Sequence, residues 1–249
     1  MKIIISPAKK MQVGIDSLDY ETLPAFCAEA NELLNYLRNC DYQTLKHMWK
    51  CNDAITKLNY ERLQTLECHQ QLTPALFAYI GIQYQYIAPA AFELESLNYL
   101  QEHLCILSGI YGVLRPLDGV LPYRLEMQAK INYDKYKSLY DFWHDKIASF
   151  LLSDNNCIIN LASKEYSRCI TKYLMSDTKF ITCVFGENVN GKIIEKGTYA
   201  KMARGEMVRF MAEQQIEEEE KLKKFNRLGY NFNVSLSTDN TFVFVKGDR

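Results

Sequence analysis

Residues 104–118 have the sequence L-C-I-L-S-G-I-Y-G-V-L-R-P-L-D, and this stretch indicates the fold class of the chain. Leu104–Ser108 is short and apolar, which predicts a buried strand. Glycines, a proline and polar residues follow at once and predict a loop beyond the strand's end. The same change from apolar strand to polar loop occurs after Lys2–Ile5 and after Cys157–Leu161. This pattern is typical of α/β proteins, whose ligand sites lie at the carboxyl ends of strands.

The N-terminal part of the chain has helical rather than strand periodicity. Leucines and other apolar residues recur at helical spacing over residues 25–66, and breaks near residues 39–41 and 51–53 predict several short helices. Asp41 and Asn52 stand at those breaks as predicted N-caps. A further short helix is predicted to start at Thr73-Pro74, with the threonine as its cap.

The C-terminal part predicts both strands and a long helix. Residues 180–185 and 192–195 are predicted to pair across an Asn-Gly turn, and a helix is predicted from residue 198 or 199 to about residue 225. Alternating apolar side chains at residues 231–237 predict a half-buried strand, and Thr241–Lys246 predicts the last strand. The resulting fold class is α/β of mixed α+β character: one compact domain over residues 1–249, with a central mixed sheet, flanking helices and an N-terminal helical lobe.

Composition excludes several classes of protein. The 249 residues are 48% hydrophobic, their formal net charge is −1, and no apolar run approaches the roughly 20 residues of a membrane helix. The N-terminus lacks the apolar core of a signal peptide, so a cytoplasmic location is expected. The eight cysteines include no C-x-x-C pair and the four histidines are scattered, so neither a disulfide framework, a metal site nor a cofactor is predicted.

Three segments carry polar and charged side chains directly beyond the predicted strands: residues 6–10, 108–127 and 160–166. Arg115 and Arg124 can each form two hydrogen bonds to a phosphate or a carboxylate. The acidic residues of the same segment can pair with these arginines or carry protons. Two interpretations stay open: a ligand site, or an arginine–carboxylate network that braces a long loop.

A fourth segment, residues 199–211, is amphipathic. At 100° per residue its apolar side chains fall on one side of a helix and its basic side chains on the other. The basic face is either an ordinary solvated surface or one wall of an anion-binding cleft. The apolar side consists of Ala203, Met207, Phe210 and Met211, and the basic side of Lys201, Arg204 and Arg209.

Together these segments resemble the YaaA family of bacterial peroxide stress proteins. The motifs are IIISPAK, LSGIYGVLRPLD, PYRLEM, INLASKEY and YAKMARGEMVRF, and the resemblance runs from residue 1 to about residue 245. It implies a cytosolic protein that protects cells from hydrogen peroxide by limiting free iron and damage to DNA. It also implies an unusual α/β arrangement with a positively charged cleft, a helix-hairpin-helix element and DNA binding, with no enzymatic reaction established.

The resemblance can be followed residue by residue, and it has three departures. Lys10 stands where the family often has threonine, and Lys164 stands where an acidic residue is common. The helix-hairpin-helix element is expected within residues 41–68, but its hairpin, residues 54–59, lacks the glycine that such hairpins favour. The residues expected to bind nucleic acid or another anion are Ser6, Lys9, Ser108, Tyr111, Arg115, Arg124, Asn160, Ser163, Lys201, Arg204 and Arg209.

Three functions compete. The first is a stress protein that binds DNA or another nucleic acid through a basic patch. The second is an enzyme acting on a small anionic substrate such as a nucleotide or a modified base, with Glu126, Asp118 and Tyr123 as candidate catalytic residues. The third, direct iron sequestration, is disfavoured because the sequence lacks the clustered histidines and carboxylates of iron sites.

A single site requires that distant segments converge. We expect Lys9, Arg115, Arg124 and Arg204 within roughly 10–15 Å of one another, about a Debye length, so that their fields add. Carboxylates should then lie among them as counter-charges, from Asp118, Glu126 or Glu165. The alternative is that each motif braces its own loop.

Overall fold

The computed structural model describes residues 1–14, 18–65 and 72–247. Its helices are α1 (Cys27–Arg38), α2 (Tyr42–Trp49), α3 (Asp53–Thr65), α4 (Ala75–Ala78), α5 (Ile82–Ile87), α6 (Leu94–His103), α7 (Leu139–Trp143), α8 (Lys146–Leu152), α9 (Lys164–Thr171) and α10 (Gly197–Glu213). Its strands are β1 (Lys2–Ile5), β2 (Lys10–Met11), β3 (Thr73–Pro74), β4 (Tyr79–Ile80), β5 (Leu104–Ser108), β6 (Gly112–Leu114), β7 (Gly119–Val120), β8 (Lys130–Tyr133), β9 (Tyr136–Ser138), β10 (Cys157–Leu161), β11 (Lys179–Val189), β12 (Lys192–Ile194), β13 (Tyr230–Phe232) and β14 (Thr241–Lys246).

The main sheet is mixed and has β1 near its centre. Its strand order is β13-β14-β11-β10-β1-β5-β6, and β12 pairs with the end of β11. The strands β14, β11, β10, β1 and β5 run parallel, whereas β13 and β6 close the two edges in antiparallel pairing. The predicted class, an α/β fold with a central mixed sheet and flanking helices, is confirmed.

The core forms around the parallel strands. Ile3, Ile4 and Ile5 of β1 are fully buried, as expected for a strand covered on both faces. The buried side chains of α1 and α2 belong to the same continuous apolar cluster as those of the strands. The N-terminal helices are therefore packed onto the common core.

The predicted series of short helices is confirmed. The Asp41 side chain accepts a hydrogen bond from the Thr44 N–H at 2.9 Å, and the Asn52 side chain accepts one from the Ile55 N–H at 3.0 Å. The predicted hairpin at residues 54–59 is wrong, because these residues lie inside α3. The turn lies earlier, at residues 50–52, where Lys50 takes a φ of 47°. Residues 66–68 of the predicted element lie outside the described residues.

Two boundaries near the N-terminal half differ from prediction. Gly112–Leu114 is a strand that folds back on β5, not part of a loop, because Gly112 adopts a φ of +66° that suits the tight turn. Thr73 does not cap α4: it pairs with Val120 in a short ladder, and its hydroxyl accepts from the Gly14 N–H at 3.3 Å. Backbone pairing at these positions leaves no signal in side-chain periodicity.

Two C-terminal predictions were also wrong in extent. Helix α10 ends at Glu213 rather than near residue 225, because Gln215 turns to a φ of 47° and the Ile216 N–H closes the helix end on the Met211 carbonyl at 3.1 Å. The predicted strand 231–237 stops at Phe232. Beyond it, the Asn233 side chain accepts from the Leu236 N–H at 3.1 Å and forms a 3-10 turn.

A hairpin forms across the predicted Asn-Gly turn, but the predicted pairing of residues 180–185 with residues 192–195 is wrong, because a later part of β11 makes this contact. Glu187–Val189 pairs with β12, while the earlier residues of β11 belong to the main sheet. Asn190 and Gly191 both have positive φ, as this hairpin turn requires. None of the helices in the described ranges combines the length and the apolar character that crossing a bilayer requires.

Candidate functional site

The candidate site lies at the carboxyl ends of β1 and β10. Strand β1 pairs with β5 on one side and with β10 on the other, so the chain leaves it at a point where strand order changes direction. Such crevices are the usual ligand sites of open parallel sheets. The Ser6 hydroxyl accepts a hydrogen bond from the Ser163 N–H at 2.8 Å and lies 3.2 Å from the Ser163 hydroxyl. This contact ties together the two loops that leave these strands.

A cleft of about 520 Å³ opens beside this serine contact. Five segments of the chain form it: the loop after β1, helix α5 with the residues before it, the strap after β7, the start of α9, and α10. The polar and charged side chains of its lining are Ser6, Lys9, Lys10, Gln83, Tyr84, Tyr123, Arg124, Glu126, Ser163, Glu165, Tyr166, Lys201 and Arg204.

The lining contains five basic residues and two carboxylates, so its cations outnumber its anions. Glu126 lies between two cations, 2.9 Å from the Lys9 Nζ and 3.2 Å from an Arg124 nitrogen. Arg204 is paired with Glu195 at 3.1 Å, and Glu195 is not one of the lining residues. The site is therefore a basic cleft with embedded carboxylates.

Glu165 has a different environment from Glu126. It lies in the first turn of α9, and its Oε1 accepts a hydrogen bond from the Gln128 N–H at 3.2 Å. Burial raises the pKa of Glu165, and the nearby charge of Glu126 raises it further. The two carboxylates of the cleft are thus unlike: Glu126 lies between two cations, whereas Glu165 is held in a more buried position where its pKa is raised.

Buried tyrosines form the floor of the cleft. The Tyr123 hydroxyl lies 2.6 Å from the Ser108 hydroxyl and 2.8 Å from the Tyr79 hydroxyl, and burial raises the pKa of Tyr123 to about 12. Tyr84 donates to the Ser6 carbonyl at 3.0 Å. Burial also raises the pKa of Tyr166 well above its ordinary value. These phenols therefore stay protonated and act as hydrogen-bonding groups.

One wall of the cleft depends on close packing between α5 and α10. A Cβ added at Gly205 would lie 2.3 Å from the Gln83 carbonyl oxygen, so only glycine permits this approach. The contact places Gln83 beside Arg204, the residue that precedes Gly205. Within the described chain, Gln83 Nε2, Arg124 Nε and Arg204 Nε are buried side-chain nitrogens without a hydrogen-bond partner, and all three residues line the cleft.

Arg115 and Asp118 lie away from the cleft, and for them the bracing interpretation holds. The Asp118 carboxylate is buried and accepts from the Arg115 N–H at 2.7 Å and from the Thr22 hydroxyl at 2.6 Å. The Arg115 guanidinium lies 3.1 Å from the same carboxylate and donates to the Leu23 carbonyl at 3.2 Å. Of the four basic residues expected to converge, the cleft includes Lys9, Arg124 and Arg204.

Arg209 is also outside the cleft. Its Nε donates to Glu213 at 2.7 Å, and Glu213 is shared with Arg227 at 2.5 Å. Since Arg209 is five residues beyond Arg204, a helix turns it by about 140° away. This part of the basic face of α10 is a surface ion-pair network.

Three further predicted residues support loops from beneath rather than line the cleft. The Ser108 hydroxyl accepts from the Tyr111 N–H at 2.9 Å, and the Tyr111 hydroxyl accepts from the Leu121 N–H at 3.1 Å. The Asn160 side chain accepts from the Ala162 N–H at 3.0 Å. All three are buried, and their hydrogen bonds shape the strand ends from which the cleft is built.

Sequence reasoning missed the contribution of α5. Its sequence, I-Q-Y-Q-Y-I, places Gln83 and Tyr84 in the wall although neither belongs to a strand-end loop. A signal was present, since a glutamine flanked by an isoleucine and a tyrosine in an apolar stretch is expected to need a polar partner if it is buried. Within the described ranges, no group of three or more His, Cys, Asp or Glu side chains is arranged to hold a metal ion.

Comparisons with known proteins match the chain over most or all of its length. The family model described as peroxide stress protein YaaA matches residues 1–236. A UPF0246 protein of Lachnoclostridium phytofermentans is 51% identical over 248 residues, covering 100% of this chain and 97% of the relative. A UPF0246 protein of Desulfitobacterium hafniense is 52% identical over 246 residues, covering 99% of this chain and 98% of the relative.

Proposed function

The chain belongs to the peroxide stress protein YaaA family, and from this premise we propose that it acts in the cytoplasm by binding the phosphate of a nucleic acid or nucleotide in its basic cleft. The family resemblance predicted from the motifs is confirmed, and with it a role in oxidative stress. The observation that carries the binding proposal is the meeting of basic side chains from distant segments, Lys9, Arg124, Lys201 and Arg204, around one cavity. Such a concentration of positive charge attracts phosphate.

The size of the cleft favours a single nucleotide unit. A cavity of about 520 Å³ falls within the ordinary range for small-molecule sites, and it is bounded by side chains on five segments. A duplex would have to contact the surrounding surface instead of entering. A mononucleotide or one unit of a single strand therefore suits the cleft better than a continuous double helix.

The test is binding of labelled single-stranded and duplex DNA to the full chain at low and physiological salt. We expect tighter binding to the single strand and a steep loss of affinity as salt rises, because phosphate contacts release counterions. Lys201→Ala combined with Arg204→Ala should reduce affinity at least about tenfold, as expected when two phosphate contacts are lost.

Arg209→Ala is the matched control, since it removes a basic residue of the same helix outside the cleft. It should leave affinity within about twofold. No binding by the wild type even at low salt would refute the proposal. An equal loss in both variants would show that general surface charge, and not the cleft, is responsible.

A second candidate function is catalysis on a small anionic substrate, such as a nucleotide or a modified base. The contrast between Glu126 and Glu165 favours it: Glu126 lies between two cations, whereas burial raises the pKa of Glu165, and carboxylates in unlike environments are a common basis for acid–base chemistry. The test is chromatography of nucleotides after incubation with wild type and with Glu165→Gln. Turnover by the wild type that Glu165→Gln abolishes supports catalysis, and unchanged nucleotides count against it.

Limiting iron-dependent damage to DNA belongs to the same proposal. Nucleic acids carry a condensed layer of cations, and a protein that occupies phosphates releases them. Iron bound near an occupied phosphate would be displaced in the same way. Protection would then depend on the basic residues of the cleft and not on an iron site.

A further inference from the structure

Three buried donors of the cleft lack partners, and their distribution suggests what they bind. Gln83 is 7% exposed and the Arg124 side chain 10% exposed, so water cannot readily satisfy Gln83 Nε2 and Arg124 Nε. The third donor is Arg204 Nε, on the helix that packs directly against Gln83. Buried donors are nearly always paired in proteins, and each exception needs an explanation.

Neighbouring contacts hold the side chains that carry these donors in place. One terminal nitrogen of each arginine forms an ion pair: that of Arg124 with Glu126 at 3.2 Å, and that of Arg204 with Glu195 at 3.1 Å. These ion pairs orient the two guanidinium groups while leaving each Nε unused. Gln83 is held by the backbone contact of its own helix with Gly205. The donors therefore stand on three separate, fixed elements.

We propose that the cleft is specific for a terminal phosphate, meaning a phosphate monoester on a strand end or on a mononucleotide. Gln83, Arg124 and Arg204 form the subsite that binds this phosphate. This inference rests on the proposed function. A monoester has three terminal oxygens that can each accept a hydrogen bond, which matches three donors from three elements. A phosphodiester within a strand has two such oxygens.

Charge points to the same ligand. The lining holds five basic residues against two carboxylates, and Arg204 is also paired with Glu195, so an excess of about two positive charges remains, which suits a dianion better than a singly charged diester. Glu126 is neutralised between Lys9 and Arg124, and protonation of Glu165 would remove the remaining repulsion. The bounded cavity also favours a chain end over a strand that must enter and leave.

The experiment compares one single-stranded sequence carrying a 5′-phosphate, a 3′-phosphate or no terminal phosphate, with inorganic phosphate as a competitor. We expect the wild type to bind one of the phosphorylated strands about tenfold more tightly than the unphosphorylated strand, as expected for charge-assisted hydrogen bonds. Inorganic phosphate should displace the phosphorylated strand first.

Two variants test the subsite itself. Gln83→Met removes a donor at similar length, and Arg204→Lys keeps the charge but removes Nε; both should reduce the preference for the phosphorylated strand several-fold. Arg209→Lys, outside the cleft, should keep it. Thermal unfolding of each variant checks that it is folded.

The outcomes separate this inference from the proposed function. Equal affinity of the wild type for all three strands overturns the terminal-phosphate inference and leaves nucleic-acid binding intact. No binding of any strand overturns both. A preference that persists in Gln83→Met and Arg204→Lys overturns the assignment of the subsite to these donors.

Discussion

At the scale of single residues, Arg115 and Arg124 show how partners decide a role. Both belong to one motif-rich segment, and both lie beside a carboxylate. Arg115 neutralises the buried Asp118 and fastens a loop, whereas Arg124 lies in the wall of the cleft with one donor unused. The same side chain thus contributes to stability at one position and is available to a ligand at the other.

Arg115→Ala is expected to lower the free energy of unfolding by about 2 kcal/mol, because it leaves the Asp118 carboxylate buried without its counter-ion. The affinity for nucleotides should stay within about twofold of wild type. Urea unfolding and equilibrium binding measure the two effects. Arg204→Ala should show the reverse pattern, and a large loss of binding in Arg115→Ala would contradict this division of roles.

Glu165 should make stability depend on pH. Because burial raises its pKa, the folded chain binds this proton more tightly than the unfolded chain does. Its contribution is therefore most favourable below the ordinary glutamate pKa and is lost as pH rises through the raised value. Glu165→Gln, which stays neutral, should raise the free energy of unfolding near pH 7 and have a smaller effect near pH 4.

Urea unfolding at several pH values tests this, with Glu102→Gln as the control because Glu102 is exposed. The control should show no such pH dependence. If Glu165→Gln destabilised the protein equally at both pH values, its hydrogen bonding rather than its charge would dominate.

At the scale of elements, hydrophobic periodicity predicted the strands and helices whose positions are determined by their own side chains. Strands β1, β5, β10 and β14 are apolar and buried, and the caps at Asp41 and Asn52 are local. The boundaries that could not be predicted depend on the backbone or on tertiary packing. Strand β6 pairs through Gly112, and α10 ends where Gln215 takes a positive φ.

Gly205→Ala is expected to destabilise the protein by about 2 kcal/mol and to weaken nucleotide binding, because its Cβ would force α10 away from α5 and widen the cleft. Thermal unfolding and binding measure both effects. Gly197→Ala is the control in the same helix, since a Cβ there has no neighbour within 4 Å. It should be neutral or stabilise by less than about 1 kcal/mol.

At the scale of the whole molecule, the site could be predicted in part. Strand-end chemistry indicated Ser6, Lys9 and Ser163 because topology brings the ends of β1 and β10 together. Composition could not indicate that Arg115 binds the Leu23 carbonyl outside the cleft, nor that α5 supplies Gln83. Both depend on how helices cover the sheet, which a single sequence does not encode in any short pattern.

The stress role should depend on the cleft. In a bacterial strain that lacks its own homologue and is sensitive to hydrogen peroxide, the wild-type chain should restore survival. Lys201→Ala with Arg204→Ala should restore it at most a tenth as well, and Arg209→Ala should act as wild type. Colony counts after peroxide exposure, at matched protein levels, measure this. Full protection by the double variant would separate the stress role from the cleft.

The central position of β1 has a consequence for synthesis on the ribosome. Ile5 pairs with Ile106 and with Leu161, so the strand made first waits for partners made much later. At ordinary translation rates that interval is roughly 10 to 30 s, during which three adjacent isoleucines stay uncovered. Strand β1 therefore cannot complete its pairing until residue 161 has been made, and during that interval the nascent chain is a natural client for a chaperone that shields apolar segments.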